Sequence, residues 1–228
     1  MRPEQIYIVL PCYNEVQVIR TTISDLLPYG YKIVVVNDGS SEKIQEKIED
    51  LQIIYCEHKI NLGQGAALRT GTELALSKGA EIIVHFDSDG QHSSADINAM
   101  IQPLLENKSD IVIGSRFLNE KDKDAIPSKR RMLLNVAKIV NHILTGVKLT
   151  DAHNGFRNMN RVAAEKLKIR ENRMAHASEI LVLIRRNKLR YAECPTHIIY
   201  SDYSKQKGQS AFNSINIVID LILNKLFK

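Results

Sequence analysis

Five short β-branched runs, each followed by a polar loop and then an amphipathic stretch, constrain this chain more than any other feature. Tyr7–Leu10, Lys32–Val36, Ile53–Cys56, Ile82–Phe86 and Ile111–Ile113 are continuous and apolar, as strands covered on both faces must be. Helical stretches lie between them, near 16–27, 42–50, 65–78 and 94–107. This alternation predicts an α/β fold with a mostly parallel central sheet flanked by helices and joined by right-handed crossovers. Ligands of such sheets bind beyond the carboxyl ends of the strands. The residues that follow each strand therefore matter most.

The second half is less regular. Ser128–Leu144 reads as an amphipathic helix with a basic start at Lys129, Arg130 and Arg131. A helix near 176–187, an extended stretch at Arg190–Tyr200 and a last helix over about 211–227 follow. No linker interrupts the chain. The expected organisation is one domain over residues 1–210 with an amphipathic helical extension over 211–228. In that extension Phe212, Ile215, Ile219, Ile222 and Leu226 recur at spacings of three and four. Such a face can pack on the core, on a second copy in a homodimer, or on a membrane surface with Lys225 and Lys228 near lipid phosphates. Packing is the commoner use.

A chain of 228 residues can bury a sizeable core without disulfides. Its net charge of +5 is mild, so it favours anionic partners only weakly, and no nucleic-acid partner is expected. Cys12, Cys56 and Cys194 are odd in number and far apart, with no Cys-x-x-Cys pair. That pattern fits a reducing, cytoplasmic compartment. Ile6–Leu10 is too short for the apolar core of a signal peptide and runs into Pro11. No apolar run reaches the roughly 18 residues of a membrane span, so any membrane contact is expected to be peripheral.

The loops after the strands are polar and specific. They are Pro11-Cys12-Tyr13-Asn14-Glu15, Asn37-Asp38-Gly39-Ser40, Asn61-Leu62-Gly63-Gln64-Gly65, Asp87-Ser88-Asp89-Gly90-Gln91-His92 and Gly114-Ser115-Arg116-Phe117. All five should converge on one sheet edge.

Asp87 and Asp89 carry the strongest signal. Two carboxylates two residues apart at a strand end can meet one cation, and their oxygens suit Mg²⁺ or Mn²⁺. Asp-Ser-Asp-Gly is also good turn chemistry. Gln91, His92 and the surrounding loops tilt the balance to a metal that draws further oxygens from a diphosphate. Asp38 could accept hydrogen bonds from a base or ribose, although taken alone it reads as a turn and helix cap.

Gly63 and Gly65 would allow close backbone approach and present helix N–H groups. The loop is neither a P-loop nor Gly-x-Gly-x-x-Gly, which weighs against an NTPase and a dinucleotide-binding dehydrogenase. Arg116 and Arg157 read as loop arginines whose planar forks suit phosphate. Glu179 opens the apolar run Ile180–Ile184. It could pair with His176 or an arginine, or face an acceptor.

Together with Asp151…Asn154-Gly155-Phe156-Arg157, these motifs resemble the family 2 glycosyltransferases, in the branch of dolichol-phosphate mannose synthase and related polyprenyl-phosphate sugar transferases. The resemblance spans most of the chain, with six motifs in order. It implies a GT-A fold, an inverting reaction, and a sugar moved from a nucleotide-diphosphate donor to a lipid phosphate. By motif position it puts Pro11, Tyr13, Glu15 and Asp38 on the nucleoside, with Gly63 and Ser88 also on the donor side. Asp87, Asp89 and Gln91 would hold the metal and diphosphate. Arg116 and Arg157 would stabilise phosphates or acceptor, with Asp89 and Glu179 counted among the catalytic residues.

A phosphate acceptor supplies its own nucleophile, so catalysis would rest on positioning and charge. The branch's Gly-Lys/Glu-Ser-Lys pattern stands here as Lys207-Gly208-Gln209-Ser210-Ala211, without the final Lys. Lys205, Lys207 and Ser210 are therefore the candidates for the acceptor phosphate. A saccharide acceptor is the alternative, and its hydroxyl would need Glu179 or Asp151 as base. A nucleotidyltransferase would carry a Gly-rich basic loop after the first strand, where this chain has Pro11–Glu15. A binding module without turnover would have no need of the metal motif.

Overall fold

The computed structural model describes residues 2–118, 142–143, 145–152 and 154–199. The expected helices at Ser128–Leu144 and 211–227, and the candidates Lys205, Lys207 and Ser210, fall wholly or largely outside these residues.

Among the described residues seven strands form one sheet: β1 (Ile6–Cys12), β2 (Lys32–Asn37), β3 (Ile54–Glu57), β4 (Ile82–His85), β5 (Ile111–Ser115), β6 (Arg157–Asn160) and β7 (Tyr191–Pro195), in the order β3-β2-β1-β4-β6-β5-β7. The pairs β1–β2, β2–β3, β1–β4 and β5–β7 are parallel. Among the described residues six α-helices complete the layers: α1 (Ile19–Leu26), α2 (Ile44–Ile48), α3 (Gln64–Ser77), α4 (Asp96–Leu105), α5 (Arg161–Lys166) and α6 (His176–Arg186).

Both sheet faces are covered, which explains the unbroken apolar strands. Every residue of β1 is buried. Alternate strand residues enter two cores. One holds Val9, Val34, Val36, Ile83 and Ile113 with Ala67 of α3 and Ile180, Leu181 and Ile184 of α6. The other holds Ile8, Leu10, Val35 and Val84 with Ile19 and Ile23 of α1 and Ile97 and Ile101 of α4. The five expected strands are present, as are the five of the seven expected helices that fall within the described residues, with ends shifted by a few residues.

One strand is an addition. β6 inserts between β4 and β5 and runs antiparallel to both, with Arg157 opposite His85 and Ile113. Its sequence, Arg157-Asn158-Met159-Asn160, has one apolar residue, so periodicity gives no strand signal. Arg157 was expected on a loop; the structure places it as the first residue of this central strand. Asn160 ends the strand and caps α5, its side-chain oxygen accepting the Ala163 N–H at 2.8 Å.

Candidate active site

The polar loops gather at the carboxyl edge of β1, β2 and β4. The first two are clamped together. Asn14, held at a left-handed φ of 55°, donates its amide to Ser40 Oγ (2.9 Å), and its side chain accepts the Ser41 amide (2.9 Å). Asn37 Oδ1 accepts both the amide and the hydroxyl of Ser40 (3.1 and 2.6 Å). Tyr13 is left 47% exposed beside this clamp, and Glu15 is half-buried. Pro11 and Ser88 face each other: the Ser88 hydroxyl donates to the Pro11 carbonyl at 2.7 Å, tying the loop after β4 to β1.

Asp38 is buried and already engaged. Oδ1 takes His58 Nδ1 (2.7 Å) and the Leu62 amide (3.0 Å), and Oδ2 takes the Gly63 amide (2.7 Å). Of the roughly four lone-pair positions of a carboxylate, one remains, on Oδ2. Gly63 has φ 111°, and a Cβ there would lie 2.4 Å from the Asn172 carbonyl oxygen. The backbone that approaches Gly63 so closely is thus the chain's own. Asn172 also accepts the Ala66 amide at 3.1 Å. The expectation that this glycine loop opens to an outside ligand is corrected to that extent.

Asp87 sits at the centre. Gln64 Nε2 donates to Oδ1 (2.9 Å), and His92 Nε2 meets Oδ2 (3.0 Å). His92 is packed between Phe86 and Phe156, at ring centroid distances of 5.5 and 5.2 Å. Burial alone would raise the pKa of Asp87. The His92 hydrogen bond and the Arg157 and His176 charges outweigh it and hold the carboxyl below its ordinary value. Asp89 behaves oppositely. Burial first, and the Asp87 charge second, push it up to about 6 against the opposing Gln91 amide. That amide donates to Asp89 Oδ1 at 3.0 Å. Among the described residues, Asp89 Oδ2 receives no hydrogen bond.

A pocket of about 100 Å³ opens here, lined by Asp87, Asp89, Gln91, His92, Arg116, Asn154, Gly155 and Ile198. A larger cavity of about 390 Å³ lies between α3 and residues 164–169. Its rim mixes Arg69 and Lys168 with Glu73 and Glu165 and has no paired carboxylates, so the smaller pocket is the chemical one.

The arginines have distinct placements. Arg116 lies on the pocket and forks onto Asp151 through Nε (2.7 Å) and Nη2 (2.8 Å). Arg157 is 1% exposed and lies behind the pocket, facing Asp87 and Asp151 electrostatically. Its Nε and Nη1 have no hydrogen-bond partner, and burial pulls its pKa down to about 10. Burial beside this charge also holds His85 down to about 3 and His176 to about 4.

Among the described residues, Glu179 pairs with neither His176 nor an arginine side chain. It accepts the amides of Arg170 (2.9 and 3.0 Å) and Glu171 (2.9 Å), bracing the segment that presses on Gly63 and Gly65.

Motif reading missed three contacts around Asp87: those of Gln64, His92 and Gly155. Each lies inside a quoted motif, so their presence was visible while their partner was not. His58, next to Asp38, lies outside every motif.

Among the described residues no three His, Cys, Asp or Glu side chains form a ready-made metal cage. The donor set still fits a hard divalent cation that draws other oxygens from its substrate. Asp89 has an oxygen without a donor, and its charge stands close to that of Asp87.

Residues 7–168 match the family model described as glycosyl transferase family 2. The chain belongs to that family. This glycosyltransferase is 33% identical over 227 residues to an uncharacterized protein of Methanocaldococcus jannaschii, covering 98% of this chain and 93% of that one. It is 31% identical over 248 residues to the UDP-N-acetylglucosamine–dolichyl-phosphate N-acetylglucosaminyltransferase of Methanococcus voltae, covering 100% and 99%. Its fold is that of glucosyl-3-phosphoglycerate synthase from Mycobacterium tuberculosis, solved with Mn²⁺ and UDP-glucose. The TM-score is 0.65 at 16% identity, over 95% of this chain and 76% of that one. The architecture is therefore GT-A, as the motifs implied. Among the described residues no helix is long and apolar enough to cross a membrane.

Proposed function

We propose that this glycosyltransferase moves a sugar from a nucleotide-diphosphate donor, with inversion, to the phosphate oxygen of a polyprenyl phosphate of the dolichyl or undecaprenyl kind. The observation that carries the donor side is Asp89: a half-buried carboxylate with one oxygen lacking a donor, pushed up to about 6 beside Asp87. Asp89 would hold a Mg²⁺ or Mn²⁺ ion whose further oxygens the diphosphate would supply. Asp87 lends charge, and Gln91 lines the same pocket. The metal, when bound, neutralises charge on the departing nucleotide. Tyr13, Glu15 and the remaining lone pair of Asp38 face the nucleoside. Arg116, steered by Asp151, offers guanidinium N–H groups to a phosphate.

A lipid-phosphate acceptor is supported in two ways. The Methanococcus voltae relative is named for action on dolichyl phosphate. Glu179 and Asp151, on which a saccharide hydroxyl would draw for a base, are bound to backbone amides and to Arg116. Lys205, Lys207 and Ser210 are proposed for the acceptor phosphate. The enzyme would meet its lipid at the cytoplasmic membrane face, with residues 211–228 packing on the core, on a second copy or on the membrane surface.

The test is a transfer assay with UDP-, GDP- and dTDP-sugars and short-chain dolichyl or undecaprenyl phosphate, with Mn²⁺, Mg²⁺ or EDTA. Metal-dependent sugar transfer to the lipid is expected. Turnover that persists in EDTA overturns the metal role, and transfer to saccharides alone overturns the acceptor.

A further inference from the structure

His58 belongs to none of the loops that mark the family resemblance, yet it contacts the centre of one of them. Its amide donates to the Asn37 carbonyl at 2.9 Å, fixing the backbone after β3 to the end of β2. Nδ1 lies 2.7 Å from Asp38 Oδ1, and Nε2 lies 2.9 Å from Thr70 Oγ1 on α3. A carboxylate only accepts, so Nδ1 carries the hydrogen. Asp38 in turn receives the Leu62 and Gly63 amides (3.0 and 2.7 Å). Gly63 precedes Gln64, and Gln64 Nε2 donates to Asp87 Oδ1 at 2.9 Å. A path of hydrogen bonds, closed by the peptide link between Gly63 and Gln64, thus runs Thr70–His58–Asp38–Gly63–Gln64–Asp87, from the first turns of α3 to the paired carboxylates.

Glycine adopts many conformations, so this loop keeps one shape only where its hydrogen bonds hold it. Gly63 is held at φ 111° with Asn172 pressing on it. Two amides converging on one carboxylate keep that conformation only while the carboxylate keeps its rotamer. The His58 ring is hydrogen-bonded at both nitrogens, to Asp38 on one side and Thr70 on the other.

We propose that His58 is a positioning residue that locks Asp38 onto the Leu62 and Gly63 amides, so that the nucleoside side and the metal side of the site are set by one hydrogen-bonded unit. The positioning half stands on the geometry alone; the consequence for ligand rests on the donor reading above.

The test uses the full chain with His58→Leu, which removes both ring contacts, and His58→Asn, whose amide can still donate to Asp38. Hydrogen exchange of the Gly63 amide is followed without ligand. Mn²⁺-dependent binding of UDP and of GDP is measured alongside. His58→Leu should lower Gly63 protection about tenfold or more, as loss of one charge-assisted hydrogen bond implies. It should also raise the Mn²⁺ concentration needed for nucleotide binding by a similar factor. His58→Asn should recover most of both. If a folded His58→Leu protein retains Gly63 protection, the proposal is overturned. Lost protection with an unchanged Mn²⁺ requirement overturns the link to the metal side. If wild-type protein binds neither nucleotide with Mn²⁺ while Gly63 protection still falls in His58→Leu, the positioning role stands and the donor reading fails.

Discussion

Gly155 stands directly against Asp87: a Cβ on residue 155 would lie 2.2 Å from Asp87 Oδ2. The same oxygen meets His92 at 3.0 Å, so the carboxylate is bounded on one side by a ring and on the other by bare backbone. Gly155→Ala should therefore displace Asp87 while leaving the sheet intact. A shift on the order of 1 Å at a reacting centre costs about 100-fold in rate. The expected result is a loss of that order in kcat, with at most about 1–3 kcal/mol of stability lost. Steady-state kinetics beside urea unfolding would check this, and unchanged kcat would mean that Asp87 does not need its present position.

Asp89 exchanges stability for its site. Its folded-state pKa of about 6 lies above the ordinary carboxylate value, so the folded protein holds a proton that the unfolded chain releases. The metal-free protein should lose stability as pH rises from about 4 to 6 on this account. Asp89→Asn should raise the unfolding free energy at pH 7.5 by about 1 kcal/mol, after discounting for the group's partial exposure. The gain should vanish near pH 4, and metal-dependent turnover should be abolished. Thermal melts of EDTA-treated protein at the two pH values decide the matter.

Asp110 and Arg190 work in the other direction. The Arg190 guanidinium, through hydrogen bonds of 2.8 and 3.2 Å, holds Asp110 down to about 2. A depressed carboxylate stabilises the fold above its unfolded pKa, and that contribution fades as pH falls from about 4 towards 2. Arg190→Ala should lower stability slightly at pH 7, since half of the arginine is exposed and the pair is screened by solvent, and by clearly less at pH 2.5. Equal losses at both pH values in denaturant titrations would remove the ion pair as the cause.

Arg157 is buried with no hydrogen bond to Nε or Nη1, which makes it a poor stabiliser and a strong local charge. Replacement of a buried charge by an apolar side chain of similar volume is often tolerated. Arg157→Met should fold with stability within about 2 kcal/mol of wild type. It should lower kcat by about tenfold or more, with a smaller effect on nucleotide affinity, because Asp87, held low first by His92, loses the further support of the Arg157 charge. A variant with wild-type kcat would show that Arg157 does not act on Asp87.

Much of this molecule was legible from residue order alone. Continuous Val and Ile runs with helical stretches between them can be satisfied only by a sheet covered on both faces, and β1 to β5 stand where those runs are. The parallel crossovers then oblige Pro11–Glu15, Asn37–Ser40, Asn61–Gly65 and Asp87–His92 to share one edge. That follows from connectivity and needs no coordinates.

Tertiary structure decided what each polar atom does there. β6 has one apolar residue in four and exists because β4 and β5 offer unpaired edges to it, so no local pattern could announce it. Its insertion turned Arg157 from a presumed loop residue into a buried charge behind Asp87. Asp38 and Glu179 carry no mark in the sequence of which amides will occupy them; those amides lie some 24 and 9 residues away. Hydrophobic periodicity is a local property, whereas the partners of a carboxylate depend on distant segments that only the folded chain brings within hydrogen-bond reach.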